Sequence, residues 1–322
     1  MDATAFRAVL DAREPVLLDG GLSTQLEAQG ADLSDSLWSA RLLADDPAQI
    51  VAAHLAFYRA GARVATTASY QATFEGFAGR GIDRVGAEAL LRASVELAGR
   101  ARTQIEAEDT GVGRPPARRF IAASVGPYGA MLADGSEYRG NYGRTVAELR
   151  DFHRDRLGVL ASTDADILAV ETIPEVEEAA AIAELLLEVD GAAAWISFSC
   201  RDGAHLCSGA PIEEGVAAVD GKPGVAAVGV NCTAPEHVDE LLARARSATS
   251  KRLVVYPNSG EGWDPVAKRW SGAAGPTVDG PAARRWIEAG ATMVGGCCRV
   301  SPGQIEAVSA MVAQLGHVRI DA

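Results

Sequence analysis

The chain has 322 residues, of which 48% are hydrophobic and 23% are charged. This composition excludes a disordered protein and allows a large buried core. Its 30 Lys and Arg residues against 43 Asp and Glu residues give a formal net charge of −13, which argues against nucleic acid or an anionic membrane as a partner and favours a small or cationic ligand.

The N-terminal segment lacks the basic flank and apolar centre of a secretory signal. No apolar run approaches the ~20 residues that a membrane span requires. We therefore expect a cytoplasmic location, where thiols stay reduced. In such a compartment, neighbouring cysteines among the five in this chain indicate metal binding or catalysis rather than a disulfide framework.

Eight short apolar runs, rich in β-branched residues, recur with room for a helix between successive runs. They cover residues 16–21, 64–70, 120–127, 167–173, 195–200, 226–232, 253–259 and 292–298. Such runs are typical of a parallel sheet covered by helices, and eight of them predict a single (β/α)8 barrel domain over residues 1–322. A doubly wound open sheet is the alternative, but no G-x-G-x-x-G follows the first run.

Local signals predict where several helices begin and end. Apolar residues at helical spacing over 50–58 predict a helix that ends near Gly61, and Gly290 gives a similar end signal. The stretches 102–120 and 255–280 are predicted to be surface connections. Three S/T-x-x-E/Q patterns are predicted to be capping boxes: Thr172 to Glu175, Thr233 to Glu236 and Ser301 to Gln304.

Three cysteines fall at predicted strand ends. Cys297 and Cys298 end the eighth run and Cys232 ends the sixth. Adjacent cysteines have Cα atoms ~3.8 Å apart, too close for an ordinary disulfide. Because reactive groups of a (β/α)8 barrel lie at the C-terminal ends of its strands, we expect the three thiolates to meet, bind zinc and leave one coordination position open.

Other residues near these strand ends receive separate interpretations. Gly295 and Gly296, which lack a Cβ, are expected to let a ligand approach the metal closely. Cys200 and Cys207 are expected to be small core residues rather than ligands. Asn231, which directly precedes Cys232 in the sixth run, is a candidate substrate contact.

Several motifs of this chain resemble the homocysteine S-methyltransferases, a family of zinc enzymes. They are DGGLSTQLEAQG, VNCTAP and GGCCRVSP. The likeness is closest to bacterial S-methylmethionine-dependent members, through DSLWSARLL, TTASYQATFEGF, SVGPYGAMLADGSEYRG and VVYPNSGE. The resemblance covers almost the whole chain and implies methyl transfer to the zinc-bound thiolate of L-homocysteine, with Cys232, Cys297 and Cys298 as zinc ligands.

The resemblance also implies homocysteine contacts at Asp19, Gly20, Thr66 and Glu171. In that arrangement two carboxylates hold the α-ammonium group, and a backbone N–H with a hydroxyl holds the α-carboxylate. For the methyl donor, we expect the aromatic faces of Trp38 and Tyr70 to contact a sulfonium cation.

The sequence leaves donor and acceptor open between related substrates. Betaine-using members have a tyrosine directly after the glutamate of the fourth strand, whereas this chain has Thr172; the difference favours S-methyl-L-methionine, or S-adenosyl-L-methionine, over betaine. Selenocysteine is an alternative acceptor. A barrel with a structural metal or a redox store of thiols is the non-enzymatic alternative, and we expect a monomer because the long C-terminal extension of the betaine-using members has no counterpart here.

Overall fold

A computed structural model describes residues 1–318 except 2, 13, 34–36, 114–116, 190, 265–268 and 276. All eight predicted strands are confirmed. They are β1 (Val16–Leu17), β2 (Val64–Thr66), β3 (Phe120–Val125), β4 (Ile167–Ile173), β5 (Ala194–Phe198), β6 (Val225–Asn231), β7 (Arg252–Tyr256) and β10 (Ala291–Val294). A separate antiparallel hairpin consists of β8 (Gly262–Asp264) and β9 (Arg269–Ser271).

Helices alternate with these strands, as the predicted fold requires. They are α1 (Thr4–Asp11), α2 (Leu22–Ala28), α3 (Leu42–Asp45), α4 (Pro47–Arg59), α5 (Phe74–Ala78), α6 (Arg84–Gly111), α7 (Tyr128–Leu132), α8 (Val146–Ala161), α9 (Val176–Leu185), α10 (Ile212–Asp220), α11 (Val238–Ala248), α12 (Gly280–Glu288) and α13 (Pro302–Val318). Short 3₁₀ helices cover Trp38–Arg41, Ser136–Tyr138 and Pro235–His237. Within the described residues, no helix combines the length and the apolar character needed to cross a membrane.

The eight strands form one parallel sheet in the order β1-β10-β7-β6-β5-β4-β3-β2. The two outer strands meet through a backbone hydrogen bond of 2.8 Å from Arg63 N to Leu17 O, so the sheet closes into a nearly complete (β/α)8 barrel. At its N-terminal end, Phe6 of α1 contacts the ring of Phe120 edge-on at 5.0 Å and lies within the inner core cluster. Helix α1 therefore fills one end of the barrel, and the other end carries the site.

The structure corrects two predictions about connections. Most of the stretch 102–120 is helical, because α6 continues to Gly111. Its side chains Ala101 and Ile105 are buried, and this packing holds the helix beyond the predicted end. The stretch 255–280 is also not simply a loop, since it carries the β8–β9 hairpin.

Two of the three predicted capping boxes are also wrong. Thr233 Oγ1 accepts a hydrogen bond from Cys200 N at 2.9 Å, so the hydroxyl joins two barrel strands instead of capping a helix. Thr172 bonds to Asn231, and α9 begins after Glu175 without a side-chain cap. At the third pattern, Gln304 Oε1 accepts from the backbone N–H of Ser301 at 3.0 Å, as one half of a capping box requires.

The predicted helix ends are confirmed. Helix α4 ends at Arg59, and Gly61 follows it with φ of +100°. Helix α12 ends at Glu288, and Gly290 follows it with φ of +102°. Both glycines occupy the left-handed region, where a side chain would be strained.

Candidate active site

The strand pattern itself carries polar side chains to the open end of the barrel. In β4, Ile167 and Ala169 belong to the inner core cluster, whereas Leu168 and Val170 belong to the outer one. Because side chains alternate between the two faces of a strand, Glu171 follows on the inner face. The same alternation gives a layer of polar inward-facing residues at the strand ends: Thr66, Ser124, Glu171, Ser197, Asn231 and Tyr256.

Three cysteines meet beside this layer, as the sequence predicted. The sulfur atoms of Cys232, Cys297 and Cys298 all lie within 4.8 Å of one another. Strand β7 lies between β6 and β10, and its C-terminal end fixes both cysteine segments: Cys232 N donates to Tyr256 O at 3.1 Å and Cys297 N donates to Pro257 O at 2.8 Å. Among the described residues, this group contains no fourth Cys, His, Asp or Glu. The group could bind a metal ion through three sulfur ligands.

The three thiols are electrostatically linked. Hydrogen bonds from Cys297 and Cys298 lower the pKa of Cys232 well below its usual value. The hydrogen bond to Cys232 in turn raises the pKa values of Cys297 and Cys298. One thiolate is therefore favoured, and ionisation of all three needs a cation to offset their repulsion. The hydroxyl of Tyr138 lies 3.1 Å from Cys232 Sγ, within the reach of a hydrogen bond to sulfur.

The two glycines before the cysteines pack closely against the barrel, and Gly296 also lines the pocket next to the cysteines. A Cβ at Gly295 would lie 2.6 Å from Leu18 Cβ and 2.8 Å from Asp19 O. A Cβ at Gly296 would lie 2.2 Å from Val300 Cγ1. Protein atoms occupy the space that a side chain would need, so both glycines allow the cysteine segment to approach β1 and the start of α13.

A pocket opens directly on the sulfur cluster, at the C-terminal face of the barrel where such folds carry their small-molecule sites. Its wall includes the three cysteines and three acidic residues, Asp19, Glu137 and Glu171. None of the described lining residues is Lys, Arg or His. The pocket therefore suits a ligand with positive charge.

Of the residues predicted for the amino-acid substrate, Asp19, Gly20, Thr66 and Glu171 all line this pocket. Thr66 donates its backbone N–H to Asp19 Oδ2 at 2.7 Å and its hydroxyl to Asp19 Oδ1 at 2.9 Å. These bonds use both donors of Thr66, so Thr66 orients Asp19. A direct bond from Thr66 to a substrate carboxylate would require it to change partners.

Without a cationic partner, the buried carboxyl groups of Asp19 and Glu171 favour their neutral, protonated form. Burial raises the pKa of Asp19 to about 8 despite the two bonds from Thr66. Burial also raises the pKa of Glu171 to about 7, although hydrogen bonds from Ser124 and Tyr256 oppose it. Cation binding next to either carboxyl would restore its ionised form.

Asn231 was predicted to contact the substrate, but it is absent from the described lining of the pocket. Its Oδ1 accepts from Thr172 N at 2.7 Å and from the Ser197 hydroxyl at 2.8 Å. Its Nδ2 donates to Thr172 Oγ1 at 2.8 Å and lies 3.8 Å from Cys297 Sγ. Asn231 therefore holds Thr172 in a left-handed conformation, with φ of 63°, that a β-branched residue rarely adopts.

Tyr70 and Trp38 are the two aromatic residues that were predicted to contact the methyl donor. Tyr70 lines the pocket, and a Cβ on Gly126 would lie 2.7 Å from its ring, so the ring packs on the backbone after β3. Trp38 belongs to the 3₁₀ helix Trp38–Arg41, but its side chain lies outside the described part of the structure.

Glu137, Tyr138 and Tyr256 are among the pocket residues that the sequence did not predict. Tyr256 is the last residue of β7, so the strand-end rule could have identified it. Glu137 and Tyr138 form part of a 3₁₀ helix in the long connection after β3. Only the general rule that βα connections carry the site of a barrel could have pointed to them.

Comparison with known proteins agrees with this geometry. Residues 16–312 match the family described as Homocysteine S-methyltransferase. Homocysteine S-methyltransferase YbgG of Bacillus subtilis is 46% identical over 308 residues, which cover 95% of this chain and 97% of that protein. Selenocysteine Se-methyltransferase of Brassica oleracea is 45% identical to this chain, and the matched region covers 91% of this chain and 87% of that protein.

The fold agrees with a solved structure as well. The homocysteine methyltransferase MmuM of Escherichia coli, in its metallated form, superposes with a TM-score of 0.84 at 45% identity, covering 95% of this chain and 99% of that structure.

Proposed function

Because this chain belongs to the homocysteine S-methyltransferase family and has the activity of that family, we propose that it is zinc-dependent and uses S-methyl-L-methionine as its methyl donor. The observation that carries the proposal is the cluster of Cys232, Cys297 and Cys298 in the wall of an acidic pocket. A thiol acceptor and a cationic donor are the substrates that such a pocket suits.

The sulfur cluster fits zinc by its donor set and its size. Tetrahedral zinc with Zn–S bonds of ~2.3 Å separates its sulfur ligands by roughly 3.8 Å, and the three sulfur atoms lie within 4.8 Å of one another. A zinc ion bound there supplies the positive charge that keeps the homocysteine thiol ionised at neutral pH. Cys232, Cys297 and Cys298 would hold the ion, which could then also accept the substrate sulfur.

The chain's own residues would orient the acceptor. We assign the α-ammonium group of homocysteine to the carboxylates of Asp19 and Glu171, because charge-assisted hydrogen bonds are the stronger ones. Thr66 fixes the orientation of Asp19 through two bonds. We assign the α-carboxylate to the neighbouring wall formed by Gly20 and Ser23, which offers a backbone N–H and a hydroxyl.

The methyl transfer itself needs alignment more than acid or base catalysis. The homocysteine thiolate attacks the methyl carbon of the sulfonium, the bond from that carbon to the sulfonium sulfur breaks, and its electron pair stays on the departing thioether. With S-methyl-L-methionine both products are L-methionine. We assign the face of Tyr70 to the sulfonium, with Trp38 as a second candidate.

Donor profiling tests the proposal. The zinc-loaded protein is supplied with homocysteine and with S-methyl-L-methionine, S-adenosyl-L-methionine or betaine, and methionine is quantified. We expect the highest kcat/KM with S-methyl-L-methionine. A clear preference for betaine would contradict the assignment of the donor.

The metal is tested by its stoichiometry together with activity. We expect Cys298→Ala to lose bound zinc and methionine formation, and the matched control Cys207→Ala to keep both, because Cys207 lies outside the sulfur group. Full activity of Cys298→Ala would contradict a role of the sulfur cluster in catalysis. A zinc coordination that X-ray absorption shows to be unchanged on addition of homocysteine would favour a structural metal.

Selenocysteine is the second acceptor to consider, because a selenocysteine Se-methyltransferase is 45% identical to this chain. Both acceptors share the α-ammonium and α-carboxylate groups, so the same wall would hold either. Parallel kinetics with the two acceptors separate the possibilities, and a higher kcat/KM for selenocysteine would reverse the assignment.

A further inference from the structure

Glu137 differs from Asp19 and Glu171, the other two acidic residues of the pocket, in the hydrogen bonds of its carboxyl group. Both oxygens of Asp19 accept hydrogen bonds from Thr66, and Glu171 Oε1 accepts from the Ser124 hydroxyl. Glu137 is only 6% exposed, and its Oε2 is buried without a hydrogen-bond partner among the described residues. A buried carboxylate oxygen without a partner is costly, so this atom calls for a donor from a ligand.

The surrounding loop holds Glu137 in place. The Ser199 hydroxyl, just after β5, donates to the backbone oxygen of Glu137 at 3.1 Å. On the other side, a Cβ at Gly129 would lie 2.5 Å from Glu137 N, so the loop packs on itself without spare room. The next residue, Tyr138, reaches Cys232 Sγ. These contacts place Glu137 in the part of the wall near the ends of β5 and β6, whereas Asp19 follows β1 and Thr66 ends β2.

We propose that Glu137 binds the α-ammonium group of the methyl donor and thereby selects a sulfonium amino acid. This inference rests on the proposed function, in which two amino acids enter one pocket and bring two α-ammonium groups. Asp19 and Glu171 serve the acceptor. The sulfonium centre has no N–H or O–H to donate, so the unpartnered oxygen of Glu137 fits the ammonium group of the donor.

The same residue disfavours betaine. The trimethylammonium group of betaine has no N–H to offer to Glu137 Oε2. Betaine also lacks an α-ammonium group to balance the charge of Glu137 in a pocket whose described lining contains no basic side chain. Discrimination between donors thus rests on the hydrogen bonds and the charge of that ammonium group.

The test combines a variant with a trimmed donor. Glu137→Gln keeps the shape of the side chain and removes its charge, and Glu177→Gln is the matched control on an exposed residue of α9. Each protein is assayed with S-methyl-L-methionine and with 4-(dimethylsulfonio)butyrate, the same donor without its α-amino group. We expect Glu137→Gln to lower kcat/KM for S-methyl-L-methionine by about 10- to 100-fold, through KM, and to leave KM for homocysteine little changed.

The trimmed donor supplies the decisive comparison. Wild type and Glu137→Gln should use it equally poorly, because the group that Glu137 recognises is gone. An equal loss with both donors, or a main effect on KM for homocysteine, would overturn the proposal. Glu137→Asp, which keeps the charge, should recover part of the loss; thermal unfolding of all variants shows whether any loss comes from misfolding.

Calorimetric binding separates this proposal from the proposed function. S-methyl-L-methionine is titrated into zinc-loaded wild type and Glu137→Gln in the presence of homocysteine analogues that cannot be methylated. Weaker binding to the variant supports the role of Glu137 even if turnover proceeds faster with another sulfonium donor. Equal binding to both proteins refutes it, whereas absent turnover with every sulfonium donor refutes the proposed function.

Discussion

Replacing Gly296 by alanine would distinguish close packing from substrate clearance as the reason for this glycine. The added Cβ would lie 2.2 Å from Val300 Cγ1 and 2.4 Å from Val300 Cβ. Ordinary carbon contacts are ~3.5 to 4.0 Å, so the backbone must move by roughly 1 Å or more. Such overpacking typically costs about 1 to 3 kcal/mol, which corresponds to a fall in Tm of roughly 1.5 to 4.5 °C for a chain of this size.

The displacement would reach the cysteines that we propose as metal ligands. Val300 N donates to Cys297 O at 3.1 Å, so movement of Val300 also moves the cysteine segment. We expect Gly296→Ala to lower the affinity for zinc by about 10- to 100-fold, the range that altered support of metal ligands usually produces. Competition with a chromogenic chelator measures this affinity, and thermal unfolding measures the stability.

Gly303→Ala is the matched control in the same segment, because its Cβ would meet nothing closer than Ser301 Oγ at 3.9 Å. It should bind zinc as wild type does and be equally or slightly more stable. The packing argument would fail if Gly296→Ala kept wild-type stability and zinc affinity while its KM for homocysteine rose. That result would restore the interpretation that the glycine leaves room for substrate.

Two further predictions concern buried polar groups. His54 is fully buried, neither ring nitrogen has a partner among the described residues, and burial lowers its pKa to about 4. Because folding favours the neutral ring, wild type loses stability as pH falls. The free energy of unfolding of His54→Phe should therefore rise relative to wild type by up to about 3 kcal/mol between pH 6.5 and pH 4. Urea unfolding across this pH range measures the gain, and a pH-independent difference would contradict the assignment. Asn231→Ala should lose about 2 to 4 kcal/mol of stability and some zinc affinity, because the change leaves Thr172 N unpaired in a strained conformation. Urea unfolding measures the stability and chelator competition measures the zinc affinity. An unchanged variant would show that Asn231 does not support the cysteine segment.

The fold was largely predictable because its signals are local. Each strand is a run of apolar residues rich in β-branched side chains, and each run identified in the sequence became a barrel strand. The alternation of side chains then assigned Glu171 to the inner face. The three cysteines predicted from the strand-end rule, and Asp19 and Thr66 implied by the family resemblance, all line one pocket.

Predictions failed where a side chain had several partners within reach. Thr172 and Thr233 carry the pattern of a helix cap, but their hydroxyls bond across the barrel to Asn231 and Cys200. The glycines before Cys297 suggest an open approach for a ligand; Gly296 does line the pocket, but Leu18 and Val300 fill the space that a side chain at Gly295 or Gly296 would need. Such outcomes depend on distances between segments far apart in the chain.

The sequence by itself determined the eight-stranded barrel, the family and the three cysteines that meet at strand ends, because strand periodicity and motif order are properties of the chain alone. Only the tertiary structure decided how the connections fold over the open end of the barrel. It placed Glu137 in the pocket wall and Tyr138 beside Cys232, and it turned Asn231 from the pocket to Thr172. The physical reason is that a buried polar group bonds to whichever partner the fold brings within about 3 Å, and a linear pattern does not contain that distance.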